Sequence, residues 1–436
     1  MPALTLAPDA APSPVAPEER IGALDLLRGF ALFGVLLSNL NDWYGTTDPA
    51  GWLDSTLAFA QTWLFESRFY TLLGLVFGVG FAIQLGRAES RGDDIRPVFY
   101  RRMLALFAFG IAHVVLLWRG DILIQYALLG CFLVLFRDLK PRGVLIAALV
   151  TWIAVPYGLG LIMRGLHAEM LPRDPDGVDN WIYANGSYLQ VMPVRIRGFL
   201  DWYARWPQLV FPGFLVLFLL GLWAQRTGLI ARLSDGRLLR RILFWSLGLA
   251  VLSTGLGMVL WKVLQPPPPS TDWRTLGFWI PWRMPLRLLF DLSTWASAGV
   301  YGAGLLLLAI HPLGRAALAP LALLGRMPLT TYLTQSVVCS LLFYGYGLGW
   351  YGTVSFSGML MIACTLFAAQ ILFSGWWLGR YRFGPAEWLW RSLAYARWQP
   401  MRLTSVPPTA RPSCWISTSR PRPAIRTTRR TGSGRF

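Results

Sequence analysis

The chain has 436 residues, of which 55% are hydrophobic and only 14% charged. Soluble domains carry about 25% charged residues, so the composition excludes an ordinary soluble enzyme and indicates a membrane protein. The net charge of +18 is almost all arginine, with Lys140 and Lys262 the only lysines; no basic stripe lies on a soluble module, which argues against nucleic acid as a partner.

Taken in chain order, residues 1–19 are Pro/Ala-rich and acidic at Glu18 and Glu19, unlike the basic-then-apolar pattern of a signal peptide, so membrane entry is assigned to the first span. They are predicted to form a disordered tail ahead of a multi-pass domain over 20–398. Ten spans are predicted, at 23–42, 68–87, 101–118, 121–137, 142–163, 206–225, 240–263, 288–310, 328–348 and 356–378. Each is an apolar stretch near the length that crosses a hydrocarbon core of about 30 Å. The 121–137 span is short, and Arg119-Gly120-Asp121 reads as a tight turn before it. An amphipathic stretch over 52–65 is placed at the interface, and the 164–205 segment reads as a long outer loop. The 22 Trp and 15 Tyr suit interfacial belts.

The arginines set the orientation. Arg87, Arg91, Arg96, Arg101 and Arg102 follow span two; Arg137, Lys140 and Arg142 follow span four; Arg226, Arg232, Arg237, Arg240 and Arg241 follow span six. These loops alternate with 43–65, which has neither Arg nor Lys, so both termini are predicted to be cytoplasmic. Pro266 to Pro269 forms a stiff spacer before span eight. Residues 399–436, rich in Arg, Ser, Thr and Pro, read as a disordered basic tail attracted to anionic lipid. The fold class is thus an all-α polytopic integral membrane protein of about ten spans with both termini cytoplasmic.

Several polar residues stand out against this apolar background. A charge within a span costs roughly 2.5–3.5 kcal/mol, so it persists with a partner or a task. Asp25 and Arg28 open span one three residues apart, on one helical face, and can satisfy each other. Asn39 lies on the same face eleven residues after Arg28, about 16 Å away. Arg28 reads either as half of an orienting ion pair or as an inner basic group for an anionic ligand. Span three repeats the spacing with Arg102 and His113. If spans three and four pack as the short turn demands, His113 can face Asp121 or Gln125. A carboxylate there fixes the imidazole tautomer, as suits a general base, whereas the alternative is a satisfied core histidine.

His167 and His311 lie in a loop and at a span end. In span two, Gly74 and Gly78 form a small-x-x-x-small pair for close helix packing, extended by Gly80; Glu66 and Arg68 just before it could pair. Span nine carries Thr331, Tyr332, Thr334, Gln335 and Ser336, either packing glue or the wall of a cavity. Arg382 to Arg391, with Trp388 and Trp390, reads as an interfacial helix. Cys131, Cys339 and Cys364 lie within spans and Cys414 in the tail, without the spacing of a zinc site or disulfide framework, so no metal is expected. There is no Gly-x-Ser-x-Gly, P-loop, His-Glu-x-x-His or dinucleotide fingerprint.

Four stretches carry a resemblance: Leu24 to Gly34, Phe77 to Phe81, Arg101 through Tyr126, and the end comprising Gly325 to Ser336, Tyr344 to Leu348 and Phe383 to Arg391. In these the chain resembles the bacterial YeiB-type membrane proteins grouped under domain of unknown function 418, from about residue 20 to about 400. The opening also resembles transmembrane acyltransferases of the heparan-glucosaminide acetyltransferase-like group. That resemblance implies transfer of an acyl group from a cytoplasmic donor, an acyl-CoA, to an extracytoplasmic acceptor such as a small molecule or envelope glycan. Arg28 and Arg102 would hold the donor, His113 aided by Asp121 would be the base, and Asp25, Asn39, Gln125, Tyr332 and Gln335 would bind substrate. The related type-three acyltransferases carry His where this chain has Asn39, leaving His113 to supply the base. A transporter or permease for a small polar solute would use the same residues without chemistry, and a structural or regulatory membrane component would not need them to converge.

Overall fold

The computed structural model describes residues 22–45, 51–65, 67–165, 177–205, 207–264 and 283–403. The N-terminal tail, the Pro266–Pro269 spacer, Glu66, His167 and the basic tail beyond residue 403 lie outside these residues.

Fifteen α-helices follow one another among the described residues: α1 (Gly22–Tyr44), α2 (Gly51–Leu64), α3 (Arg68–Arg91), α4 (Arg96–Leu116), α5 (Leu123–Leu133), α6 (Pro141–Gly165), α7 (Val178–Asn185), α8 (Tyr188–Arg205), α9 (Pro207–Arg226), α10 (Gly236–Leu264), α11 (Arg283–Ile310), α12 (Pro312–Leu324), α13 (Pro328–Phe343), α14 (Phe356–Leu378) and α15 (Pro385–Ala394). No strand occurs among them; one isolated bridge joins Tyr381 to Arg402. Seven helical stretches are long and apolar enough to cross a membrane: α1, the α2–α3 run, α4, α6, α10, α11 and α14. The remaining segments read as spans are helical but short. α5 has 11 residues and a 3-10 turn after it, α13 has 16, and the apolar part of α9 is Pro212–Arg226. At 1.5 Å per residue such helices fall short of about 30 Å on their own.

Why these residues make helices is legible at the ends. Pro occupies the first turn of α4, α12, α13 and α15, where its missing N–H costs nothing and its fixed φ suits the helix. α3 stops at Gly92, whose φ of 72° lets its N–H reach back to Ala88 and Glu89. α13 starts on a buried acid: Glu387 of α15 accepts from the Leu329 and Thr330 N–H groups and the Thr330 hydroxyl. α14 starts on another, as Asp54 of α2 accepts from Phe356 and Ser357. α2 therefore turns its polar Asp54 and Gln61 inward and leaves Trp52 and Phe59 outside.

α1 is central, packed against α3, α12 and α13 with further contacts to α2, α11 and α14. Leu26, Ala31, Val35, Leu36 and Leu40 on it are wholly buried. α10 pairs with α11 at the periphery, with only 6% of its apolar stretch covered. Its exposed Phe244, Trp245, Leu252 and Trp261 form the kind of large apolar surface that lipid, not water, accommodates. The chain is an integral membrane protein. One end of the bundle gathers arginines of the α3–α4, α9–α10 and α14–α15 connections; tyrosines collect at the other, where α7 meets the segment after α13.

Close crossing of α3 and α9 depends on two glycines. A β-carbon at Gly78 would stand 2.1 Å from the Phe218 carbonyl oxygen, and one at Gly221 2.3 Å from that of Leu75. Gly74 also faces α9, with Leu217 at 3.1 Å, whereas Gly80 meets nothing within 4 Å and takes no part. Gly78→Ala is expected to destabilise the protein by about 1–3 kcal/mol through overpacking. Gly80→Ala should instead be neutral or stabilise by up to about 1 kcal/mol through helix propensity. Melting of both variants in detergent checks the contrast; equal behaviour would refute this crossing.

The 164–205 segment differs from the predicted loop. Its described part folds as α7 and α8, because Val191, Val194 and Arg195 recur at helical spacing and bury one face of α8 against the bundle.

A buried histidine between α4, α5 and α13

His113 sits near the end of α4 with 1% of its surface exposed. The chain then turns through Trp118 and Gly120 into α5, so Asp121 is delivered back to the imidazole. The Asp121 Oδ1 lies 3.6 Å from His113 Nδ1, and both side chains are wholly buried. The same carboxylate accepts from the N–H groups of Leu123, at 2.9 Å, and Ile124, at 3.3 Å. It thus satisfies the open N-terminus of α5 while facing the histidine. Gly110, one turn before His113, makes the approach possible. A β-carbon there would lie 3.0 Å from Asp121 Oδ2 and 2.7 Å from the Ile124 nitrogen.

On the other side of the ring, His113 Nε2 lies 2.8 Å from the hydroxyl oxygen of Ser336 on α13. The tautomer with Nδ1–H toward Asp121 leaves the Nε2 lone pair to accept from that hydroxyl. Tyr332, one turn earlier, lies against the imidazole with ring centroids 4.9 Å apart and donates to the Gly120 carbonyl at 3.1 Å. Ser340, one turn later, donates to the Leu117 carbonyl. One face of α13 therefore reads Tyr332, Ser336, Ser340, and it seals the α4–α5 turn.

The sequence lets His113 face either Asp121 or Gln125; in the structure its ring lies against Asp121 and Tyr332. Gln125 is buried one turn into α5. Gln335 is not turned to the histidine: it donates to Gln370 of α14 at 3.1 Å, and Gln370 donates to the Thr331 carbonyl and the Thr334 hydroxyl. Asn39 accepts from Tyr70 of α3. Tyr70 is in turn within electrostatic reach of Tyr332 and Tyr126, which ties Asn39 to the same polar interior. Several buried donors around this interior lack a hydrogen-bond partner among the described residues: Tyr126 Oη, Trp118 Nε1 and Trp43 Nε1, with the two indoles 4.3 Å apart.

Asp25 and Arg28 lie at the arginine-rich end, paired at 2.6 Å. Arg102 bonds to Gln84, packs its guanidinium 4.6 Å over the Trp390 ring, and accepts the Trp390 indole N–H on its carbonyl. Arg28 is within electrostatic reach of Arg102, so two cations from α1 and α4 converge there. Ser336 is the residue that the sequence reading leaves in a general polar stripe. The signal for it is the recurrence of Tyr332, Ser336 and Ser340 at four-residue spacing, but its partner lies 223 positions away.

Residues 224–397 match the family described as "Protein of unknown function (DUF418)". The uncharacterized protein YxaH of Bacillus subtilis is 31% identical over 415 residues, covering 89% of this chain and 97% of that protein. An uncharacterized 39.9 kDa protein from the amylase 3′ region of Bacillus acidopullulyticus is 29% identical, covering 89% and 98%. The uncharacterized protein YeiB of Escherichia coli is 28% identical over 408 residues, covering 86% and 96%.

Proposed function

We propose, from the premise that this chain belongs to the YeiB-type DUF418 family of membrane proteins, that it transfers an acyl group across the bacterial inner membrane. The observation that carries this reading is the buried series Asp121, His113, Ser336, with the Ser336 hydroxyl 2.8 Å from the imidazole Nε2 and the Asp121 carboxylate facing Nδ1 at 3.6 Å. A histidine oriented by a carboxylate and presenting its other nitrogen to a hydroxyl is arranged to take a proton from an attacking oxygen. The ten predicted spans and cytoplasmic termini belong to the same proposal, with the arginine-rich end inside. The assignment of 20–398 as one membrane domain between two tails belongs to it as well.

A donor of the acyl-CoA type fits the convergence of Arg28 and Arg102, since guanidinium groups match phosphate geometry. When bound, that donor supplies an activated thioester carbonyl. Arg28 and Arg102 hold its phosphates, and Asp25 keeps Arg28 oriented. His113 would then accept at Nε2 the proton of the acceptor hydroxyl or amine, in the place that Ser336 now holds, as the acceptor's bond to the acyl carbon forms and the C–S bond breaks. It would return that proton to the departing thiolate, while Asp121 stabilises the charged ring between the two transfers. Gln125, Asn39 and Tyr332 line the polar interior through which an acceptor reaches the base, whereas Gln335, bonded to Gln370, stands away from it.

The test is label transfer from radiolabelled acetyl-CoA to an envelope-glycan extract in proteoliposomes of the purified protein. Arg28→Ala is expected to raise the KM for acetyl-CoA at least about tenfold, the loss of one charge-assisted contact, with a smaller change in kcat. No transfer by the intact protein, together with uptake of a polar solute that survives His113→Gln, would replace this reading with the transporter one.

A further inference from the structure

The tyrosine-rich end contains a cation that the histidine site does not use. Arg195 of α8 is 0% exposed, and its Nε, Nη1 and Nη2 all lack a hydrogen-bond partner of good geometry among the described residues. Its neighbours are aromatic: Tyr188 at 5.2 Å, Tyr183 within electrostatic reach, and the Tyr346 hydroxyl, a neutral group close enough to share a hydrogen bond but carrying no counter-charge. Among the described residues, the carboxylates at this end are paired elsewhere, Asp179 to Arg197 and Asp42 to Arg119. A buried guanidinium without a counter-charge is costly, and such groups are retained where a ligand supplies the charge.

A second guanidinium lies beside it. A β-carbon on Gly198, one turn after Arg195 on α8, would sit 3.2 Å from Arg119 Cδ and 3.5 Å from its Nη1. Arg119 also stands 5.8 Å over the Tyr183 ring. The Tyr183 hydroxyl is buried without a partner, and burial pushes it up to about 12, so it stays a donor at neutral pH. The cluster is rigid: Tyr183 stacks on Tyr344 at 4.9 Å, and its carbonyl accepts the Gly345 N–H at 2.8 Å.

We propose that Arg195, Arg119 and the Tyr183 hydroxyl form a binding site for an oxyanion group, a carboxylate or phosphate, of a ligand that enters from the tyrosine-rich end. Guanidinium and phenol donors converging among buried aromatic rings make short, charge-assisted hydrogen bonds to such a group. The site stands about 12 Å along α13 from Ser336, two helical turns, if Tyr344 marks its floor. It goes beyond acyl transfer and does not depend on it; should that reading hold, the acceptor is an anionic molecule.

Thermal melting without any acyl donor tests the site. The protein in neutral phosphatidylcholine nanodiscs is titrated with inorganic phosphate or acetate against chloride at equal ionic strength, and is separately placed in nanodiscs containing phosphatidylglycerol. Stabilisation by the soluble anions identifies a small-molecule site, and stabilisation by phosphatidylglycerol alone identifies a lipid headgroup. Arg195→Met is expected to abolish either response while leaving basal melting equal or higher, because it removes an uncompensated charge. Tyr183→Phe, which breaks no bond in the protein, should raise the half-saturating concentration about tenfold or more. Arg197→Gln, an arginine already paired, should leave the response intact. No response to either source in the intact protein, or one that survives Arg195→Met, overturns the proposal.

Discussion

Replacing His113 by alanine is expected to lower acyl transfer by about 10²- to 10⁴-fold, the usual contribution of a positioned general base. The loss should fall on kcat, because the imidazole acts on the proton in flight and does not hold the donor. Folding should survive. Without the ring, Asp121 still accepts from Leu123 and Ile124, and Ser336 still reaches the Tyr332 carbonyl at 3.4 Å. His113→Gln restores a hydrogen-bonding side chain but no base, so it should be as inactive as alanine. Asp121→Asn keeps an oxygen for the helix start and removes only the charge; its loss should overlap with that of His113→Ala, the double variant being little worse than the single. Transfer at the wild-type rate by a folded His113→Ala protein would remove the chemical role of this site.

Loss of the Glu387 carboxylate is expected to have the largest effect on stability. Its Oε1 lies 2.5 Å from the Leu329 nitrogen and 3.0 Å from that of Thr330, and its Oε2 accepts the Thr330 hydroxyl at 2.6 Å. Glu387 is 4% exposed, so no water replaces it freely. Glu387→Ala orphans these donors at about 1–3 kcal/mol each and frees the start of the helix that carries Tyr332 and Ser336; a total of about 3 kcal/mol or more is expected. Glu387→Gln keeps one acceptor and should cost roughly half as much. Burial pushes the Glu387 carboxyl above its ordinary value of 4.5, against the hydrogen bonds that lower it. The folded state therefore binds this proton more tightly than the unfolded chain. Its contribution is full below the ordinary carboxylate range and is lost as pH rises through the folded value. Melting of Glu387→Gln should lack this dependence, while a variant that melts like the wild type at every pH would show that the acid does not hold α13.

Much of the fold can be read locally. Runs of apolar residues near span length give α1, α3, α4, α6, α10, α11 and α14, and prolines mark where α4, α12, α13 and α15 begin. The proximity of His113 and Asp121 is legible too, because only the short turn around Gly120 separates their helices. The small-residue pair Gly74 and Gly78 announces a close crossing, although nothing in its pattern names α9 as the partner. The 164–205 segment is harder to read, since arginines at helical spacing and arginines in a loop look alike until the Val191–Val194–Arg195 face has something to pack against.

By itself, the sequence determined that this protein is helical, apolar enough to live in a bilayer, and supplied with a few polar groups that a membrane interior must satisfy. Those properties follow from composition and from periodicities of a few residues, which are short-range quantities. Only the tertiary structure decided which polar groups meet. Ser336 reaches His113 across 223 positions, Glu387 caps α13 from 58 positions beyond Leu329, and Asp54 caps α14 from 302 positions before Phe356. The same is true of Arg195, buried among tyrosines from three segments with no carboxylate partner among the described residues. In a medium without water to satisfy polar atoms, the choice among partners is made by helix packing, and packing is a property of the whole chain.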